Sequence, residues 1–154
     1  MRWPAKVRVI TPGKIKFSFI REGVAYYEKR LKNYLSFALE EKKVPKTSLS
    51  TLKQKEGEVL LKATGNAFIV ALDERGKIFT SQEFARKLES LLNREREVAF
   101  VLGGAYGLSE EVLKRADLKL SLSLMTFGHE IALLVFCEQL YRALAILSGE
   151  PYHK

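Results

Sequence analysis

A single cysteine in the chain, Cys137, excludes an internal disulfide. Histidine is almost as scarce. His129 and His153 are the only two, and no His, Cys or Asp cluster has metal-ligand spacing, so no metal site is expected. No apolar run approaches the ~20 residues of a membrane helix; the longest is Ile131 to Cys137. The N-terminus has charges but no apolar core of a secretory signal, so the expected setting is a reducing cytoplasm, with no membrane partner. The dinucleotide fingerprint, the Walker loop and the Gly-x-Ser-x-Gly elbow are also absent. Their absence leaves a nicotinamide dehydrogenase remote and a serine hydrolase unsupported.

What is present is uneven charge. Residues 1–62 carry 15 Lys+Arg against 6 Asp+Glu, whereas residues 63–154 carry 11 against 12. A basic half attracts phosphate-rich partners; a lysine-rich solvated surface explains the same numbers. The apolar fraction is that of a globular protein, and the length fits one domain, residues 1–154. Periodicity predicts strands at 6–10, 36–44, 67–72, 98–102 and 118–122. It predicts helices at 17–35, 50–64, from Thr80 to about Asn93, 110–116 and 129–147. Thr80 and Glu83 form a capping box, Ser109 caps the fourth helix, and Asp73 to Gly76 reads as a turn. Strands and helices alternate throughout, so the fold class is α/β, with a mainly parallel sheet and helices on both faces.

Three stretches carry candidate chemistry. The turn Gly103-Gly104-Ala105-Tyr106-Gly107 follows a buried strand, where ligands of open α/β sheets bind. A ligand-free strand-to-helix turn needs the same glycines. The loop Ser123 to Gly128 follows another strand. With Leu72 and Asp73 at the end of a third, the loops converge on a pocket suited to a flat adenine. The last helix opens on His129 and carries Glu138, Gln139, Tyr141 and Arg142 on an otherwise apolar element. The chain closes on Pro151, Tyr152, His153 and Lys154. Glu138 and Arg142 stand at i and i+4, which also suits a plain helical ion pair. Cys137, in an apolar run, reads as inert core.

Several motifs taken together carry a resemblance. Val9 to Lys16, Lys55-Glu56-Gly57-Glu58, Leu72-Asp73 with Gly76-Lys77, Ser81 with Phe84-Ala85, and Phe100 to Gly107 come in turn. Leu120 to Phe127 with His129, Glu138 to Ala143, and Pro151 to Lys154 complete the order. In order, spacing and distance from the C-terminus the chain resembles the RlmH-type methyltransferases of the SPOUT superfamily. The resemblance implies a C-terminal deep trefoil knot holding S-adenosylmethionine, with Leu72, Gly103, Leu122, Ser123, Leu124, Met125, Thr126 and Phe127 lining the cofactor pocket. It implies a homodimer with the site near the subunit interface. The implied activity is N3-methylation of a pseudouridine in helix 69 of 23S rRNA within the assembled ribosome. His129, Arg142, Tyr152 and His153 are the expected catalytic residues, and Lys154 is a further candidate for placing RNA.

Two positions depart from the family pattern. Gly128 stands where the family usually has proline, and Leu133 where it usually has arginine. They support one rival, a ribosome-associated knotted dimer with weak or no catalysis. A second rival is a SPOUT methyltransferase acting on another RNA, such as tRNA.

Overall fold

The computed structural model describes residues 2–154. The elements follow in strict alternation: β1 (Lys6–Pro12), α1 (Ser18–Leu31), β2 (Ser36–Lys42), α2 (Leu49–Thr64) and β3 (Phe68–Ile78), then α3 (Ser81–Arg94), β4 (Glu97–Val101), α4 (Glu110–Arg115), β5 (Leu118–Ser121) and α5 (His129–Leu147). The strands form one parallel sheet in the order β2-β1-β4-β3-β5. The expected α/β class is what the structure shows.

Side chains alternate across the strands, so each strand feeds two cores. Val7, Val9, Val70, Val98 and Phe100 face α1, α3 and α5. Ile10, Ile69, Ala71, Ala99 and Val101 face α2 and α4. That double burial is why β3 and β4 read as near-continuous apolar runs. The first core is the larger. At its centre Phe100 and Phe136, both fully buried, have ring centroids 4.8 Å apart, and Phe84 meets both edge-on. On α5, Leu133, Phe136, Cys137, Leu140 and Leu144 recur at helical spacing and are buried, so α5 packs between α1 and α3.

Local signals act as their chemistry demands. Thr80 and Glu83 close a reciprocal capping box on α3. Ser109 Oγ accepts the Val112 N–H at the start of α4. Gly65, at positive φ, ends α2.

Two expectations need correction. The first helix ends at Leu31, not residue 35. Tyr34 and Leu35 keep helical spacing, but a turn buries them, with the N–H groups of both donating to the Leu31 carbonyl. The expected turn at Asp73 to Gly76 lies within β3. Both Leu72 and Lys77 pair with Leu120, so the register breaks and the four residues between them arch off the ladder.

Arg8, on β1, bridges Glu40 of β2 (Nε–Oε2 2.6 Å) and Glu97 of β4 (Nη1–Oε2 3.1 Å), and donates to the Ala63 carbonyl. The guanidinium holds the Glu40 carboxyl down at about 2. A depressed carboxylate stabilises the fold above its unfolded pKa, and that stabilisation is lost as pH falls from about 4.5 toward 2. Urea unfolding should therefore show a loss on the order of 1–3 kcal/mol over that window, from Glu40 with its partners Arg8 and Lys42. Glu40→Gln should start less stable and lack this part of the acid slope; an unchanged slope would remove Glu40 as its source.

Candidate functional site

The sheet order creates a crevice. β3 leads into α3, which packs on the α5 side, while β4 leads into α4, which packs with α2 on the opposite face. The loops after β3 and β4 diverge there, at the carboxyl ends of the strands, which is where open α/β sheets bind ligands. A cavity of about 470 Å³ occupies this crevice. Its walls are Leu72 to Glu74, where β3 begins to arch, Leu102 to Leu108 after β4, Leu120 to Ser123 at the end of β5 with Met125 to Gly128 beyond it, and His129 and Ala132 of α5.

The Gly-rich wall is a closed turn. Gly107 N–H donates to the Gly104 carbonyl at 3.1 Å, and Gly107 has φ +80°, a conformation that favours glycine. A Cβ on Gly103 would lie 2.4 Å from the Gly107 carbonyl carbon, so only glycine fits. The facing loop is tied by short bonds. Ser121 Oγ donates to the Ser123 carbonyl, and Met125 N–H donates to Ser123 Oγ. Thr126 Oγ1 donates to Glu74 Oε2 at 3.0 Å, bridging the loop to the arch in β3.

Seven of the eight expected pocket residues line this one cavity: Leu72, Gly103, Leu122, Ser123, Met125, Thr126 and Phe127. Leu124 does not; it is 87% exposed. The walls offer leucine side chains and backbone amides and carbonyls, a fit for an adenosine held by apolar contact and main-chain hydrogen bonds.

The four expected catalytic residues fall into two groups. His129 stands exposed on the cavity wall as the first residue of α5. Beside it, the buried Glu130 carboxylate accepts the N–H groups of Lys16 (2.8 Å) and Phe17 (3.0 Å), clamping the start of α1 to α5. Arg142, Tyr152 and His153 gather near the other end of α5, 13 residues or about 20 Å further along. Arg142 Nη2 meets Glu138 Oε2 at 2.8 Å, and the Tyr152 hydroxyl donates to the same oxygen at 2.7 Å. Arg142 Nη1 lies 2.9 Å from His153 Nδ1. Arginine can only donate, so Nδ1 accepts and the imidazole proton sits on Nε2. Arg142 also lies over the Tyr152 ring, which meets Tyr141 edge-on. The tail is thus docked along α5, unlike the frayed end that most chains carry. Burial and the Glu138 carboxylate raise the Tyr152 hydroxyl above its ordinary pKa, so it stays protonated as a donor.

Cys137 is buried, and burial pushes its thiol up to about 12, so it is inert core. Among the described residues, no group of three or more His, Cys, Asp or Glu is placed to hold a metal ion. No described helix is long and apolar enough to cross a membrane. The residues that periodicity missed are Glu74, Glu130 and Glu56. Each acts on a partner more than 45 residues away, and nothing local in the sequence marks such a contact.

The sequence model of a family described as predicted SPOUT methyltransferase matches residues 5–153. A protein of Exiguobacterium sp. named ribosomal RNA large subunit methyltransferase H is 43% identical over 157 residues, covering 96% of this chain and 99% of the relative. A protein of the same name from Streptococcus mutans is 40% identical, with 97% and 99% covered. Among solved structures, a probable methylase family protein of Haemophilus influenzae aligns at a TM-score of 0.58 with 16% identity, over 96% of this chain and 70% of its own. A putative methylase family protein from Neisseria gonorrhoeae aligns at 0.55, again with 16% identity, over 89% and 82%. The structural likenesses carry the fold alone.

Gly128 caps α5 at φ −56° and ψ 145°, inside the range that a proline ring enforces. A Cβ there would have only Ile131 Cγ1 within reach, at 4.0 Å. Gly128→Pro should therefore raise stability by about 0.4–1 kcal/mol, chiefly by restricting the unfolded chain. The urea midpoint checks this; a lower midpoint would mean that the loop does not keep this backbone.

Proposed function

The chain belongs to the SPOUT methyltransferase family and is an RNA methyltransferase, and on that premise we propose that it methylates N3 of a pseudouridine in helix 69 of 23S rRNA on the assembled ribosome, using S-adenosylmethionine. The observation that carries this reading is near full-length likeness, at 43% identity, to proteins named as rRNA large subunit methyltransferases. The cavity supports the cofactor: three sheet-end loops supply apolar walls, a Gly103 cradle that a Cβ would fill, and main-chain donors and acceptors. We read residues 1–154 as one catalytic domain in the cytoplasm. The path from β5 back past the ends of β3 and β4 into α5 is the segment that would be threaded as a trefoil knot.

S-Adenosylmethionine, when bound, supplies an electrophilic methyl group on a sulfonium. The chain must align the acceptor and remove its proton, because N3 of the neutral ring is protonated and has no lone pair to offer. His129 on the cavity wall is the group placed to take that proton, directly or through water. Arg142 and His153 present N–H donors that suit RNA oxygens, and Tyr152, whose hydroxyl donates to Glu138, holds the cluster together.

These two groups lie about 20 Å apart within one chain, which argues for a homodimer. A two-fold contact centred near Leu134 and Val135, midway between His129 and Arg142, would run the two α5 helices in opposite senses. Each tail would then approach the other copy's cavity. That centre is a mainly apolar groove lined by Phe19, Gly23, Tyr26, Tyr27, Leu134 and Val135 together with Glu22 and Glu138, and Ile131 is exposed on the same helix. Basic residues of the N-terminal half, together with ribosomal shape, would supply RNA recognition.

Label from methyl-labelled S-adenosylmethionine should appear on the helix 69 pseudouridine of unmodified intact ribosomes, and not on free 23S rRNA or tRNA. Label on tRNA would replace the substrate, and cofactor binding without label on any RNA would favour a ribosome-associated binder. Sedimentation at micromolar concentration should give a dimer. Val135→Arg should give monomers that bind the cofactor but transfer methyl at least about 100-fold more slowly, as misplacement of catalytic groups does. A dimeric variant would move the interface elsewhere.

A further inference from the structure

Glu56 is the buried acid for which neither the fold nor the reaction has yet given a reason. It lies on α2 beside Gly57 and is 9% exposed. Its Oε1 is buried without a hydrogen-bond partner. A buried carboxylate with a free oxygen is destabilising unless something uses it.

Its surroundings point toward the cavity. A Cβ on Gly104 would fall 2.8 Å from Glu56 Oε2 and 3.1 Å from Oε1. Gly104 lines the cavity. The carboxylate therefore stands directly behind the Gly-rich wall, with no side chain between. Burial raises its pKa, and the Gly104 amide and the His129 imidazole pull the other way. Both of those groups belong to the cavity wall.

The other acids at the cavity are differently placed. Asp73 accepts the Arg75 N–H and Nε–H, both at 3.1 Å, and so has a cation on it. Glu74 accepts from Thr126 Oγ1 and is open to water, which screens its charge. Glu56 alone is buried, faces no arginine or lysine, and keeps an oxygen free.

We propose that Glu56 is a positioning residue of the cofactor site, supplying from behind the Gly103–Gly107 turn the buried negative charge against which the cavity holds a sulfonium cation. The proposal rests on S-adenosylmethionine as the ligand of this cavity. Charge in a poorly solvated site acts over longer distances than in water, so contact is not required. The same carboxylate also lies against Gly104 of the turn, and a purely structural role is the alternative that a test must exclude.

The ligand pair that separates the two roles is S-adenosylmethionine and S-adenosylhomocysteine. They share the adenosine and the amino-acid tail and differ by the methyl group and its positive charge. Titration calorimetry on the wild-type chain and on Glu56→Gln, with melting temperature as a check of fold, gives four affinities. Glu56→Gln should bind S-adenosylmethionine about tenfold more weakly and S-adenosylhomocysteine less than about twofold more weakly. Equal losses for both ligands would make Glu56 scaffold alone, and no loss for either would remove it from the site; each overturns the proposal. If Glu56→Gln does not fold, Glu56→Asp carries the test. It draws the charge back by one methylene, and a loss shared equally by the two ligands again overturns the proposal. A wild-type chain that binds neither ligand would overturn the cofactor reading, and this proposal with it.

Discussion

The architecture of the site depends on one steric constraint: at Gly103 the backbone passes so close to Gly107 that no side chain can intervene. β4 is the central strand of the sheet, with β1 on one side and β3 on the other. A turn at its carboxyl end therefore sits where chain paths part toward opposite faces. A wider turn would fill the crevice. The tight one leaves a cavity and offers main chain as its wall. The same closeness recurs at Gly76, where a Cβ would fall 2.6 Å from the Lys119 carbonyl carbon. There it lets the arch of β3 return to the ladder, carrying Asp73 and Glu74 over the cavity mouth. Backbone, not side chain, shapes the pocket on two of its sides.

α5 joins this pocket to the rest of the molecule. Its first turn holds His129 on the cavity wall, while Glu130 binds the start of α1 through two main-chain N–H groups. Its middle fills the larger core with Phe136 and Leu140. The polar face of its second half anchors the tail through Glu138 and Arg142. A displacement of the loop at Ser123 to Gly128 is therefore transmitted to a rigid, well-packed element. The exposed side of α5 has no such partner. Ile131, Phe19 and Tyr26 are exposed there, and Leu134 and Val135 are half-buried between them. The proposed dimer contact is placed on this patch.

The fold was largely legible because its signals are local. Alternating strands and helices, the capping box at Thr80, the cap at Ser109 and the stop at Gly65 each depend on a few neighbouring residues. The convergence of Leu72, Gly103 and the loop after β5 was legible too, because all three follow strands of a parallel sheet and must emerge at the same edge. Local reasoning failed where packing acts at a distance. Tyr34 and Leu35 continue the helical spacing of α1, yet the chain turns to bury them in the larger core. Asp73 to Gly76 has turn composition, and only the pairing of both Leu72 and Lys77 with Leu120 makes it part of β3. The clamp of Glu130 spans 113 and 114 residues to its two partners, and acidic residues at a helix start need no such explanation. The docking of the tail was concealed, because nothing local in Pro151 to Lys154 marks the contacts of Tyr152 with Glu138 and of His153 with Arg142.

The geometry of the tail narrows the proposed chemistry. Within one chain, Glu138 already accepts hydrogen bonds from Arg142, Tyr152 and Gln139. Tyr152 is a protonated donor. His153 accepts from Arg142 through Nδ1 and therefore carries its proton on Nε2, so in its neutral form it has a donor left and no lone pair to spare. Arg142 has no basic site at all. A tail so arranged offers N–H groups of Arg142 and His153, which suit phosphate and carbonyl oxygens of RNA, while Tyr152 has already given its one hydroxyl proton to Glu138; it cannot accept a proton without breaking the cluster. The proton of N3 must then go to a group outside it. In the proposed reaction His129 takes that role, since it stands on the cavity wall, open to water that can carry the proton away. In the proposed dimer the division of labour follows from these valences: one copy's cavity supplies the methyl group and the base, and the other copy's tail holds the RNA.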